Sequence, residues 1–144
     1  MNAGHIHAVP AVDAAAALLE ASGLPSADLT AAHMRHFFYA GSADGLQGLV
    51  GIEIHGAYAL LRSLAVAAES RAGGLGGALL RRAESHARAQ GVRAMYLLTT
   101  TAEQFFARRG YARLERALAP AGIRGTREFA DLCPASSAFM FKAL

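Results

Sequence analysis

The segment Ala65-Val66-Ala67-Ala68-Glu69-Ser70-Arg71-Ala72-Gly73-Gly74-Leu75-Gly76-Gly77-Ala78-Leu79-Leu80 decides the reading of this chain. An apolar strand enters a glycine-rich turn, and the turn opens a helix. That layout converges unpaired backbone N–H groups and the positive end of a helix on one point, where phosphate oxygens bind well. Small residues matter there because side chains would keep an anion away from the backbone. A nucleotide-binding P-loop needs Gly-Lys-Ser/Thr, but Gly76 is followed by Gly77 and Ala78. The dinucleotide spacing G-x-G-x-x-G fails as well, because Gly74 and Gly76 lead to Leu79. What fits is Arg-x-x-Gly-x-Gly, carried by Arg71, Gly74 and Gly76.

Working outward, Leu46 to Ile54 and Ala57 to Val66 alternate as strands, with His55-Gly56 expected as a two-residue hairpin loop. Before them come a short strand over His5 to Pro10, a helix over Val12 to Ser22 stopped by Gly23 and Pro25, and a weaker helix over Asp28 to His36. A strand over Phe37 to Ala40 and a turn over Gly41 to Gly45 follow. After the glycine turn, Ala78 to Gln90 reads as an amphipathic helix with Arg81, Arg82, Glu84 and Arg88 on a solvated face. Ala94 to Thr99 is an expected buried strand. Thr100 to Arg109 is a short helix whose Thr100-Thr101-Ala102-Glu103 fits a capping box. Tyr111 to Glu115 reads as a strand, Arg124 to Leu132 as a helix and Ser136 to Phe141 as a final strand. The central ββαβα order implies an α/β or α+β domain on a mixed sheet.

With 144 residues, a single domain over residues 1–144 is expected. The chain is 53% hydrophobic and 17% charged, which excludes a disordered polymer. No apolar run approaches the ~20 residues of a membrane span, and Met1 to Ala8 lacks the pattern of a secretory signal. The lone Cys133 excludes an intramolecular disulfide framework, so a cytoplasmic location is expected. The net charge of +3 without a dense basic run gives no reason to expect nucleic acid. His5-Ile6-His7 and His33-x-x-His36 have spacings that metals use, but no adjacent carboxylates complete a site, and no metal is expected.

The Arg71–Gly76 pattern resembles the acyl-CoA pyrophosphate loop of the GNAT superfamily of N-acetyltransferases. Its setting strengthens the likeness: "LLRSLAV" before it, "GALLRRAESHARAQGV" and the strand "AMYLLT" after it, then "AEQFFARRGYARL". The resemblance covers roughly residues 45 to 116. It implies a mixed, mostly antiparallel sheet with helices on both faces and splayed fourth and fifth strands. Within the superfamily, "LLRSLAV", "YLLTTTAEQFFARRGY" and "IRGTREFADLCPASSAFM" are most similar to the arsenic-resistance N-acetyltransferase group. One branch of that wider set acetylates amino-acid-like herbicides and arsenical amino acids.

The resemblance implies acetyl-CoA as co-substrate and a small-molecule amine as acceptor, either an amino acid or an amino-acid-like toxin of arsenical or phosphinate type. It implies direct attack in a ternary complex, and a homodimer formed through residues 136–141. By the same likeness, Leu64, Ala65 and Val66 pair with the pantetheine arm and acetyl carbonyl. Arg71, Ala72, Gly73, Gly74, Leu75, Gly76 and Gly77 hold the pyrophosphate, and Thr100 and Phe105 wall the arm. The sequence departs from the superfamily at two places that matter for proton transfer. Leu60 stands where a glutamate base is common, and Phe106 where a tyrosine acid is common.

N-acetylation needs the amine deprotonated and the CoA thiolate reprotonated. With a His55-Gly56 loop, Glu53 would face Tyr58, and Glu53, Tyr58, Leu60 and Arg62 would share one face of the hairpin. Glu53 is then a candidate base acting through water and Tyr58 a candidate acid; a solvated hairpin-end pair is the alternative. Arg62 either grips a substrate carboxylate or pairs with Glu53 as structure. Arg124 and Arg127 either bind acid groups of the substrate or lie on the surface. Cys133 reads as a structural thiol. The missing base and acid keep a second function class open, a non-catalytic acyl-CoA-binding sensor.

Overall fold

The alternating stretch at the centre of the chain folds as a long hairpin. The computed structural model describes residues 5–42, 45–133 and 136–144. Strand β3 (Gly45–His55) pairs antiparallel with β4 (Tyr58–Val66). Before it lie β1 (Ile6–Ala8), α1 (Val12–Ala21) and β2 (Phe37–Ser42). After it come α2 (Leu75–Ala89), β5 (Ala94–Thr99), α3 (Glu103–Ala107), β6 (Ala112–Arg113), α4 (Ala121–Arg124) and β7 (Ala138–Ala143). The strands form one sheet in the order β1-β2-β3-β4-β5-β7-β6. Every neighbouring pair is antiparallel except β4 and β5, which run parallel. Short β6 pairs with β7 only at Phe141 and Met140.

Period-two alternation sends side chains to two different cores. On one face Val50, Ile52, Ala59 and Leu61 meet Leu79, Leu80 and Ala83 of α2 and Phe106 of α3. On the other, Phe37, Leu49 and Ala65 meet Ala15 and Leu19 of α1, and Leu60, Tyr96 and Phe139 meet Ile123 of α4. Helices therefore cover both faces, as the resemblance implied.

Two irregularities in the hairpin set the site. The turn is Gly56-Ala57 rather than His55-Gly56, so His55 faces Tyr58 and Glu53 faces Leu60. Gly56 has φ +66, the conformation that the first position of a II′ turn requires and that glycine accepts freely. The expected Glu53–Tyr58 pairing is thus corrected by two residues, although Glu53, Tyr58, Leu60 and Arg62 do share a face. The second irregularity is a bulge. Leu49 pairs with Ala65 but Gly51 pairs with Arg62, so Val50 alone opposes Ser63 and Leu64. Ser63 takes φ +63. A bulge bends its strand and redirects the side chains beyond it.

Other expectations shift in detail. The segment before β2 is helical only as a 3₁₀ turn over His33–His36. The Thr100 capping box does not form: Ala102 caps α3, its N–H bonds Thr99 Oγ1, and Glu103 pairs with Arg113. α2 begins at Leu75 rather than Ala78. Arg124 to Leu132 is not one helix, because α4 ends at Arg124 and a π-helical turn over Glu128–Leu132 follows separately. Glu84 is not on a solvated face but buried, accepting from Tyr111 Oη at 2.8 Å and Lys142 Nζ at 3.1 Å. In the expected turn before β3, Ala43 and Asp44 lie outside the described residues. No helix among the described residues is long and apolar enough to cross a membrane.

Leu60, fully buried among Tyr96, Ile123 and Phe139, tests this packing. Leu60→Ala should cost about 2–5 kcal/mol in urea unfolding; a loss below about 1 kcal/mol would show that this face is not a packed core.

Candidate active site

β4 and β5 pair only from Tyr58 with Ala94 to Leu60 with Tyr96. Beyond that point β4 runs on to Val66 and β5 to Thr99 without bridging, which leaves backbone of each strand facing the gap. Buried backbone polar groups need partners, so this splay is a ready slot for an extended, hydrogen-bonding ligand. It opens into a cavity of about 940 Å³. Leu64, Ala65 and Val66 line one wall and Thr100 and Phe105 the other; Arg71, Gly74, Gly76 and Gly77 line the end at the glycine turn.

The turn fits the phosphate role. Residues Ala68–Gly73 form a 3₁₀ turn, and Gly74, at φ +77, is the N-cap of the fifteen-residue α2. A left-handed cap favours glycine, and Gly76 and Gly77 leave the first turn of the helix uncovered by side chains. Arg71 folds back to donate from Nε to the Val66 carbonyl at 3.0 Å. Gly73 and Leu75 do not line the cavity: Gly73 is exposed and Leu75 packs into the core. Ala72 contributes backbone to the 3₁₀ turn. Sequence reasoning missed Arg109. Its guanidinium stacks 3.8 Å from the Phe105 ring centroid and bonds the Phe105 carbonyl, and it lines the cavity. A Cβ on Gly77 would lie 3.3 Å from Arg109 Nη2 and 3.4 Å from Arg81 Nη1. Two guanidinium groups therefore flank the helix start.

Past the bulge, the opposite face holds a buried ion cluster. Arg62 Nε donates to Ser63 Oγ at 2.9 Å, Nη1 to Asp28 and to Glu53 Oε2 at 2.8 Å, and Nη2 to Asp28 Oδ1 at 2.8 Å. Nη2 also pairs with Glu128 Oε2 at 3.0 Å. Four hydrogen bonds run from the guanidinium to Ser63, Asp28 and Glu53, and Glu128 closes on Nη2 as an ion pair, so its charge is met by protein carboxylates rather than held open for a substrate carboxylate. Of the two readings of Arg62, the structural one describes its contacts.

The carboxylates divide by environment. Burial raises Asp28, but its bonds to Arg62 outweigh that and hold it below the ordinary carboxylate range. Glu128 is pushed up to about 7: burial raises it, Arg62 opposes, and Asp28 and Glu53 add repulsion. Cys133, whose Sγ lies 3.9 Å from Glu128 Oε1, is pushed up to about 12 by burial and then by Glu128. It is therefore a neutral thiol near neutral pH and a poor nucleophile. Asp28, His33 and Glu53 place ligand atoms within 4.8 Å of one another, carboxylates that the sequence reading did not bring near His33. Both already serve the Arg62 cation.

The sequence-based candidates are only partly brought together. Arg62 lines the cavity, as do Phe106, Glu128, Cys133 and Ser137. Glu53, Tyr58, Arg124 and Arg127 do not. Glu53 spends one oxygen on Arg62, and its other lies 3.6 Å from His55 Nε2. Tyr58 packs edge-on against Tyr96 where the strands are still paired. Arg124 caps the Ala117 and Ala119 carbonyls, and Arg127 is exposed.

Residues 33–113, more than half of the chain, match the acetyltransferase (GNAT) domain family. The chain belongs to the GNAT acetyltransferase family. It is similar in fold to Neisseria gonorrhoeae N-acetylglutamate synthase complexed with coenzyme A and N-acetyl-glutamate, with a TM-score of 0.81 at 22% identity over 97% of this chain. The chain spans only 35% of that protein's length. Rv2747 from Mycobacterium tuberculosis, in a complex with CoA, gives a TM-score of 0.78 at 19% identity, covering 97% of this chain and 99% of its own. An acetyltransferase from Streptococcus agalactiae gives 0.69 at 15% identity, covering 97% and 98%. No curated protein sequence matches this GNAT chain.

Breaking a buried ion pair by removing one partner costs about 3–5 kcal/mol. Arg62→Ala should lose about that much in urea unfolding at pH 8. In the wild type, Asp28 lies below its usual value, so its stabilisation is present above that range and is lost as pH falls. Glu128, already pushed up to about 7, regains stability as pH falls toward 5; without Arg62 all three stranded carboxyls should lie above their usual values, so the variant regains more than the wild type. The variant's deficit should shrink toward pH 5; an equal deficit at both pH values would refute the cluster's charge states.

Proposed function

We propose that this chain transfers the acetyl group of acetyl-CoA to the primary amine of a small molecule, acting as a single domain over residues 1–144. The observation that carries the reading is the splay of β4 from β5 above the glycine-capped start of α2. The diphosphate sits at the α2 N-terminus beside Arg109, and the pantetheine arm adds hydrogen bonds along Leu64 to Val66. The thioester reaches the end of the slot, near the Arg62 cluster. Cys133 is held as a neutral thiol, which favours direct attack by the amine in a ternary complex over an acetyl-cysteine intermediate.

The acceptor wall favours a cation. Three carboxylates surround one guanidinium, and one of them, Glu128, borders the cavity. A substrate ammonium complements that excess charge. Amino acids are the first class to test, because the similar fold of N-acetylglutamate synthase was solved with N-acetyl-glutamate. The arsenical or phosphinate alternative rests on the sequence likeness of the three quoted segments. The sensor reading draws on Leu60 and Phe106, both buried and apolar where proton carriers are common.

Acetyl-CoA consumption, with product read by mass, should be measured across L-amino acids, amino-acid-like phosphinates and arsonates, and polyamines. An N-acetylated product from at least one class is expected. CoA protection against thermal unfolding without any product would favour the sensor. Charged hydrogen bonds contribute about 1.5–3 kcal/mol, so Arg109→Ala should raise KM for acetyl-CoA at least about tenfold with kcat nearly unchanged. An unaltered KM would remove Arg109 from the phosphate site.

A further inference from the structure

The geometry points to Glu128 as the catalytic base that takes the proton from the acceptor ammonium, at the oxygen that Arg62 does not pair with. This rests on the acetyltransferase reading above and adds the proton acceptor that Leu60 cannot supply.

Four observations support it. First, of the three carboxylates on Arg62, Glu128 lines the cavity, whereas Asp28 and Glu53 do not. Second, its two oxygens are unequally engaged. Oε2 pairs with Arg62 Nη2 at 3.0 Å, whereas among the described residues Oε1 has only the weak Cys133 thiol contact at 3.9 Å. Arg62 thus fixes the carboxyl and leaves one oxygen for a substrate proton. Third, the residue comes from a π-helical turn, a feature that often marks functional positions. Fourth, Ser137 lines the same cavity at 6% exposure, and its Oγ has no hydrogen-bond partner among the described residues. A buried hydroxyl without a partner costs free energy, and an acceptor nitrogen entering the cavity is a group that could satisfy it.

Among the described residues, the groups acting on Glu128 are Arg62 from β4, Asp28 from the segment after α1, Glu53 from β3 and the Cys133 thiol beyond its own turn, with Arg116 acting on that thiol in turn. Together they set a base that is ionised above neutrality and basic enough to accept a proton, the compromise a general base needs. A typical alkylammonium, with a pKa of about 10, enters charged. Glu128 takes one proton, and the freed lone pair attacks the thioester carbonyl carbon. The N–C bond forms, the C–S bond breaks, and the second proton passes from nitrogen to the departing sulfur as CoA thiol. Glu128 then releases its proton to water as the product leaves.

The test is the pH dependence of kcat/KM with the panel amine turned over fastest. Wild type should rise through a limb near pH 7 to a plateau that ends at the pKa of the amine. Glu128→Gln should fall about 100-fold on the plateau and lose it, its rate climbing tenfold per pH unit up to the amine's own pKa, while CoA still protects it against heat. Glu53→Gln removes a neighbouring negative charge and should move the acidic limb to lower pH with the plateau kept. An active Glu128→Gln enzyme with the wild-type profile overturns the proposal. So does a Glu53→Gln enzyme that loses the plateau, which would make Glu53 the base. The Glu53→Gln and wild-type profiles decide the matter even if Glu128→Gln does not fold. A wild type that acetylates no panel amine overturns the acetyltransferase reading, and this proposal with it.

Discussion

Arg62 holds three carboxylates that arrive from three separate parts of the chain. Asp28 follows α1, Glu53 belongs to β3, and Glu128 comes from the π-helical turn before β7. Removing any of these ions from water is expensive, and only near-complete pairing repays the cost. The guanidinium supplies that pairing with four hydrogen bonds and a further ion pair to Glu128. In doing so it ties the N-terminal and C-terminal coverings of one sheet face to the central hairpin. One positive charge among three negative ones leaves an excess, and the cost falls on the most buried carboxyl. The cluster therefore both anchors the fold and sets an unusual proton affinity beside the cavity.

The slot depends on a different constraint, the interruption of a sheet. β4 and β5 bridge over three residue pairs and then separate. The bulge at Ser63 and Leu64 bends β4 at that point, and the same bulge carries the Ser63 hydroxyl onto Arg62 Nε. Sheet irregularity and ion cluster are thus one local structure. At the far end, α2 presents its first turn through glycines, with Arg109 held over Phe105. The cavity runs between the glycine-capped helix start, flanked by two guanidinium groups, and an end bordered by the Glu128 carboxylate, a polarity that suits the proposed phosphate-bearing donor and cationic acceptor.

The apolar alternation of residues 45–66, the amphipathic α2 and the Arg71–Gly76 pattern were readable from sequence because local periodicity and backbone geometry dictate them. The same rules failed where a single residue of register mattered. Gly56 could begin or end a two-residue loop, and only the paired strands show that it begins one. The Thr100 capping box failed because Glu103 found Arg113, and Glu84 left the expected solvated face because Tyr111 and Lys142 reach it from distant strands.

What the sequence determined by itself was the sheet-and-helix order, the glycine-rich turn that opens a helix, and apolar side chains at Leu60 and Phe106. These are statements about neighbours along the chain. The tertiary structure alone decided that three carboxylates close on Arg62, that Arg109 flanks the helix start, and that Glu128 rather than Glu53 borders the cavity. Those facts join residues as far as 66 positions apart, from Arg62 to Glu128. A charge pattern cannot choose among partners at such range; burial and geometry do, because a buried ion is tolerated only where its opposite is already in place.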